Sequence, residues 1–278
     1  MAKEKPISEL LNFSIINIDK PSGPTSFTVS QFVKKALELK KTSHLGTLDP
    51  QVSGVLPIAL GRACRLNDFF MHRDKLYIGI MRLHSDVTDS DLKKVMKKFT
   101  GKITQLPPLR SRVKRAERVR EIKKFEILER KGKDVLFLAD VQAGTYIRKL
   151  VHNVGEEVGG AHMLELRRTR ASIFEEKDSV TLYDFEKAVE EYKRGNEKLL
   201  RKILIPADEA IKEVLPTVKL KSDNIKQILA GKPLMKQDID GKLPKEEIFA
   251  VFHKDKFISV SKKSKDGDIV AKALFVYN

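Results

Sequence analysis

Segments with strand periodicity and segments with helix periodicity follow one another in this chain in no fixed order, and no strand–helix–strand unit repeats. A doubly wound fold needs that repeat, so the pattern points to an α+β fold on a mixed, mainly antiparallel sheet. Residues 14–19 read as a strand halted by Pro21, Ser22, Gly23 and Pro24. A helix is expected from Thr25, capped by Thr25 or Ser26, with Val29, Phe32, Val33, Ala36 and Leu37 at helical spacing. Residues 55–60 are a short apolar run suited to a buried strand, and Tyr77, Gly79, Met81 and Leu83 alternate in another. Leu92, Val95, Met96 and Phe99 share a helical face after Thr88. Val135, Phe137, Ala139 and Val141 alternate as a half-buried strand that ends at Gly144, and further helices are expected around 147–154 and 182–192. After Pro216 the texture changes to short strands, one helix at 225–229, and hairpins near Asp255-Lys256 and Asp266-Gly267. The chain therefore divides into an N-terminal extension (1–13), a large domain (14–212) and a small β-rich domain (213–278).

Charge narrows the range of partners. Lys and Arg number 54 against 38 Asp and Glu, a formal excess of +16, while 41% hydrophobic residues are enough for a packed core. Such an excess favours a polyanion, because each neutralised phosphate releases counterions; a Lys-rich or thermophilic surface is the alternative. The positive charge is clustered. Arg110, Arg112, Lys114, Arg115, Arg118, Arg120, Lys123 and Lys124 follow Pro107 and Pro108, as a loop running into a strand, and Arg167, Arg168 and Arg170 form a second group. Residues 213–278 contain Lys but no Arg, so they offer point charges without bidentate forks. Cys64 is the single cysteine, which excludes an intrachain disulfide and a Cys-based zinc site and leaves little room for any structural metal. No apolar run reaches the roughly 18 residues of a membrane span, and residues 1–10 lack a signal-peptide core, so no membrane partner and a cytoplasmic location are expected.

Two stretches could carry chemistry. In Ser43-His44-Leu45-Gly46-Thr47-Leu48-Asp49-Pro50-Gln51-Val52-Ser53-Gly54, a carboxylate sits among small residues beside a run destined for the core, a setting suited to a nucleophile or base. Asp-Pro is also an ordinary turn dipeptide, and spacing alone does not decide between the two. In Gly144-Thr145-Tyr146-Ile147-Arg148 a strand gives way to a helix; if it begins near Thr145, Tyr146 and Arg148 both fall in its first turn, and an Arg there could hold a carboxylate ionised or simply meet solvent.

These segments, with Ile18-Asp19-Lys20-Pro21-Ser22-Gly23-Pro24-Thr25-Ser26 before them and Ala161-His162 through Arg168 after, resemble in order the motifs of the pseudouridine synthase family of bacterial TruB and eukaryotic dyskerin. Leu109-Arg110-Ser111 and the basic run that follows look like the dyskerin branch, in particular the archaeal catalytic subunit of H/ACA guide-RNA particles. The resemblance implies a catalytic domain of the pseudouridine synthase type followed by a PUA-like RNA-binding domain. It further implies isomerisation of uridine in ribosomal RNA chosen by an H/ACA guide RNA, with Nop-type zinc-ribbon, Gar-type and kink-turn-binding proteins as partners. A stand-alone transfer-RNA T-loop synthase and a non-catalytic RNA-binding scaffold are the other readings. Position 43 is Ser where the family commonly has Gly.

Carried over residue by residue, the resemblance makes Asp49 the catalytic aspartate, Tyr77 the tyrosine that stacks on the flipped uracil and a catalytic candidate for the late proton transfer at C5, and Arg148 the arginine paired with the carboxylate. Tyr146 and Leu166 become pocket residues, Lys20 a support of the active-site loop, and His44 a residue that helps hold the extruded nucleotide. Arg110, Arg112, Lys114 and Arg115 are then the RNA contacts. Extruding a base costs a few kcal/mol, and stacking it on an aromatic face returns about 1–3 kcal/mol. The carboxylate is expected in a dry pocket. The isomerisation needs no redox, hydride or phosphate energy, so no cofactor and no metal are expected.

Overall fold

The computed structural model describes residues 5–107, 116–221 and 225–278. In chain order its first elements are α1 (Ile7–Asn12), β1 (Ser14–Lys20), α2 (Ser26–Ala36), β2 (Thr42–His44), β3 (Ser53–Leu60), α3 (Asn67–Met71), β4 (Lys75–Leu83), α4 (Asp89–Lys98), β5 (Gly101–Gln105), β6 (Arg118–Lys131), β7 (Asp134–Val141), α5 (Ile147–Glu157), β8 (Ala161–Ala171) and α6 (Leu182–Lys193). Threonines start three of the helices. Thr25, Thr88 and Thr181 each accept the N–H three residues on, satisfying a donor that the first turn leaves open.

The larger sheet runs Val180–Thr181, β1, β3, β8, β4, β7, β6, β5, with Ile205–Pro206 added to β1, β2 to β3, and Phe174–Glu175 to β8. It is α+β and mainly antiparallel, with parallel pairing between β1 and Val180–Thr181 and between β3 and β8. Helices α2, α4, α5 and α6 lay Val29, Val33, Leu92, Met96, Leu150, Val151, Val154 and Phe185 on one face, against Ile16, Ile18, Met81, Leu83 and Phe137 from the strands. The two halves of the sheet meet where β3 and β8 pair over just Ser53–Arg167 and Gly54–Arg168. Approach there is so close that a Cβ on Gly54, whose φ is +102°, would lie 2.2 Å from the Arg168 carbonyl oxygen. That junction explains why β3 begins at Ser53, ahead of the apolar run. Among the described residues no helix is long and apolar enough to cross a membrane.

Two expectations change. The second arginine group is not a free phosphate footprint: Arg167 is bonded to Asp19 at 2.9 Å and to Glu176, Arg170 is bonded to Asp140 at 2.9 Å, and Arg168 is fully buried. Strand alternation turns these side chains inward or onto neighbouring carboxylates, leaving little for RNA. Helix α5 begins at Ile147, so Tyr146 is its N-cap and only Arg148 of the pair lies in the first turn.

Residues beyond the helix Ala207–Lys212 build a second sheet in the order Leu234–Met235, Ile269–Val276, Lys256–Asp266, Ile248–His253, Thr217–Leu220, Ile239–Asp240. It has its own small core around Val218, Phe249, Val251 and Ile258. Its other face shares a second core with the larger unit, in which Phe13, directly after α1, stacks on Phe257 (5.5 Å between centroids) and Tyr277 (4.0 Å). Phe13→Ala is expected to cost about 3–5 kcal/mol in urea unfolding and to make the second sheet the first region cut in limited proteolysis; an unchanged urea midpoint would mean the ring is not a joint between the units.

Candidate active site

The loop between β2 and β3 is shaped by what lies beneath it. Lys20, at the end of β1 and with no exposed surface, donates through Nζ to the carbonyls of Pro21 (2.7 Å), Pro24 (2.9 Å) and Pro50 (3.0 Å). Buried Ser26 grips Leu48 twice: its Oγ accepts the Leu48 N–H at 2.8 Å and donates to the Leu48 carbonyl at 2.9 Å. The N–H of Gly23 donates to the Pro50 carbonyl at 2.9 Å. Arg168, 1% exposed, reaches from β8 and donates to the carbonyls of Val55 (2.8 Å) and Gly46 (3.0 Å), with Thr47 at 3.5 Å. Leu45, Leu48 and Val52 point into the core. Asp49 is therefore fixed on both sides, while its own side chain turns outward.

Arg148 meets it there, with Nη2 2.8 Å from Asp49 Oδ2. The pair is about half open to water, at 58% and 49% side-chain exposure. The closed, dry pocket expected from the sequence is thus not formed by the described residues, because Asp49 sits at the tip of the loop and outside its anchors.

Tyr77 is half-buried on β4 and is the cross-strand partner of Arg168. Paired residues of antiparallel strands share a face with Cβ atoms about 5 Å apart, so Tyr77 leaves the sheet next to Arg168, whose guanidinium holds the Asp49 loop. Leu166 comes one same-face pair further along, opposite Gly79, and belongs to the main core. Gly79 makes its room, since a Cβ there would come within 3.0 Å of Leu166 Cδ1 and 2.6 Å of Phe137. Tyr146 caps α5, two residues before Arg148. His44 lies on β2 in register with Ile58; burial, then the positive charge of Arg168, holds its imidazole below the ordinary range, and its Nδ1 has no partner among the described residues. Ser43 is in the same strand without a left-handed φ, so the family's usual Gly is not required there. Arg110, Arg112, Lys114 and Arg115 lie outside the described residues.

The structure thus joins Asp49 with Arg148 and puts Lys20 under the loop, while Tyr77, Leu166, Tyr146 and His44 lie on β4, β8, the start of α5 and β2. Sequence reading missed Ser26, Lys75 and Arg168 as parts of this arrangement. For Arg168 a signal existed, since it is two residues beyond Leu166 on a strand and so on the same inward face. A carboxylate set against a guanidinium can serve as nucleophile or base toward a polar substrate. Among the described residues no three His, Cys, Asp or Glu side chains are placed to hold a metal ion.

The cations below the loop carry an electrostatic cost. Burial lowers the Lys20 ammonium from its ordinary range, Asp49 opposes that shift, and Arg168 adds to it. Lys75, at the start of β4, donates to the carbonyls of Met71 and Arg73; burial first, and Arg168 next, push it down to about 8. Between that value and the ordinary 10.5 the unfolded chain holds a proton that the folded chain has lost, so this group makes stability rise with pH across that window. In urea unfolding at about pH 7.5 and about pH 10, the stability of the native protein minus that of Lys75→Met is expected to grow with pH; a difference independent of pH would mean that Lys75 titrates normally.

Comparison with known proteins places this geometry in a family. The model of the TruB family pseudouridylate synthase N-terminal domain matches residues 34–147, and that of the tRNA pseudouridylate synthase B C-terminal domain matches residues 148–212. A probable tRNA pseudouridine synthase B of Methanopyrus kandleri is 47% identical over 231 residues, 82% of this chain and 68% of that protein. One from Thermococcus onnurineus is 43% identical over 272 residues, 97% of this chain and 76% of its own. Among solved structures, a Cbf5-Nop10-Gar1 complex superposes with a TM-score of 0.89 at 39% identity, covering 98% of this chain and 87% of the matched one. An H/ACA RNP bound to a substrate RNA containing 2'-deoxyuridine gives 0.88 at 37% identity, covering 99% and 88%. Matched at this identity from the first strand to the second sheet, the chain belongs to the TruB family and is an RNA pseudouridine synthase.

Proposed function

We propose that this chain isomerises uridines of ribosomal RNA selected by an H/ACA guide RNA. The observation that carries the reading is the near full-length likeness to the chain of an H/ACA particle bound to substrate RNA. In this reading residues 14–212 catalyse, residues 213–278 are a PUA-like unit that binds RNA, and Nop-type zinc-ribbon, Gar-type and kink-turn-binding proteins complete the particle. Asp49 is the catalytic carboxylate, acting on the sugar or base of an extruded uridine. Arg148 pairs with it across 2.8 Å. Tyr77 offers the aromatic face on which the uracil stacks, over Leu166, and Tyr146 lines the same pocket. His44, neutral at physiological pH, lines the entry, and Lys20 keeps Pro50 and hence Asp49 in place. The basic run with Arg110, Arg112, Lys114 and Arg115 contacts the RNA backbone.

A guide-free activity on the T-loop of transfer RNA is the second reading, favoured by the naming of the curated relatives as tRNA pseudouridine synthase B. The non-catalytic scaffold falls away with membership of an enzyme family. Mapping pseudouridine in ribosomal and transfer RNA, with and without an H/ACA guide and the partner proteins, separates the two. The expected result is conversion of ribosomal uridines only with the guide, lost in Asp49→Asn while RNA affinity stays within about twofold, as for a group acting mainly in the transition state. Guide-free conversion of transfer RNA at the higher rate would reverse the substrate assignment, and an active Asp49→Asn enzyme would remove Asp49 from catalysis.

A further inference from the structure

Asp49 and Arg148 are positioned by different means. The aspartate rides on a loop tied to Lys20, Ser26 and Arg168, all buried. The arginine rides on the first turn of α5, whose N-cap residue, Tyr146, makes no capping bond from its side chain, unlike the threonines that start α2, α4 and α6. An exposed ion pair does not hold two side chains in one geometry by itself. Something must fix where α5 begins.

The group that does so is on another element. Gln105, the last residue of β5 and 2% exposed, aims its carboxamide at the main chain of Tyr146. Its Oε1 accepts the Tyr146 N–H at 3.0 Å, and its Nε2 donates to the Tyr146 carbonyl at 3.3 Å. One amide thus meets both polar groups of a single residue, as a neighbouring strand would. That carbonyl also accepts the first helical bond of α5, from the Leu150 N–H at 3.0 Å. The turn before it is tied to β6 by Gln142, whose N–H donates to the Glu121 carbonyl at 2.8 Å and whose Oε1 accepts the Glu121 N–H. The Gln105 bonds meet the N-cap itself, two residues from Arg148.

We propose that Gln105 is a positioning residue for pseudouridine formation: by clamping the main chain of Tyr146 it sets the start of α5, and through it the place of the Arg148 guanidinium over Asp49. Among the described residues Gln105 hydrogen-bonds to Tyr146 and not to Asp49. The proposal rests on the family's activity and on Arg148 acting in it, whichever RNA is the natural substrate.

A double-variant comparison tests it. On the RNA that the native protein converts in the mapping above, with the guide and partner proteins if they are required, single-turnover rate and RNA affinity are measured for Gln105→Ala, Arg148→Lys and the combination, with circular dichroism and thermal midpoint for each. Gln105→Ala is expected to lower the rate about 10- to 100-fold, the range for a displacement near 1 Å in the reacting groups, with affinity within about twofold. In the Arg148→Lys background the same change is expected to cost less than about threefold, because the group that Gln105 positions has already been replaced. Gln105→Glu, which keeps the acceptor for the Tyr146 N–H, is expected to restore part of the rate. Equal losses in both backgrounds would show ordinary structural support and overturn the proposal, as would a Gln105→Ala rate close to that of the native protein. If Gln105→Ala does not fold, the isosteric Gln105→Glu takes its place under the same criterion. A native rate in Arg148→Lys alone would refute the role of Arg148 itself, an outcome separate from the behaviour of Gln105.

Discussion

The guanidinium of Arg168 is a full charge inside the protein with main-chain carbonyl oxygens for company, and among the described residues no carboxylate lies within pairing distance of it. An uncompensated buried cation costs several kcal/mol, so the carbonyls of Gly46, Thr47 and Val55 must stay turned toward it. That requirement shapes the loop. Lys20 repeats it from the other side with three proline carbonyls. The exposed carboxylate at the tip is placed by these internal constraints rather than by its own contacts.

The arrangement separates stability from chemistry. The anchors lie in the core, where displacing them would break many bonds together; Asp49 and Arg148 lie outside, where each can meet a substrate without unpacking anything. The pair spans two separately held elements, the loop before β3 and the start of α5. Its geometry is only as good as the relative placement of those elements, and the covered face of the sheet, where Leu48, Val52 and Ile147 join one core, supplies the common ground.

Much of this was legible before the coordinates. Alternation in 135–141 and helical spacing after Thr25 and Thr88 gave strands and helices close to those found, because those segments have one wet and one dry face and the period reports it. The α+β class followed from the irregular order of such segments. Strand ends were less legible: β3 starts early because Gly54 packs against β8, a tertiary contact without a local signature. The arginines at 167, 168 and 170 were read by charge rather than by alternation, and charge is the poorer guide where a strand turns one of three into the core. The openness of the Asp49–Arg148 pair could not be read at all, since it depends on how far a loop tip projects past its anchors.

The stacking of Phe13 on Phe257 and Tyr277 has a consequence for biogenesis. Phe13 precedes both partners by about 240 residues, so its ring waits without them while the segment between is synthesised. Contacts this distant along the chain are slow to form and expose apolar surface in the interval. A segment translated well ahead of its partners is therefore among the late ones to reach its final setting.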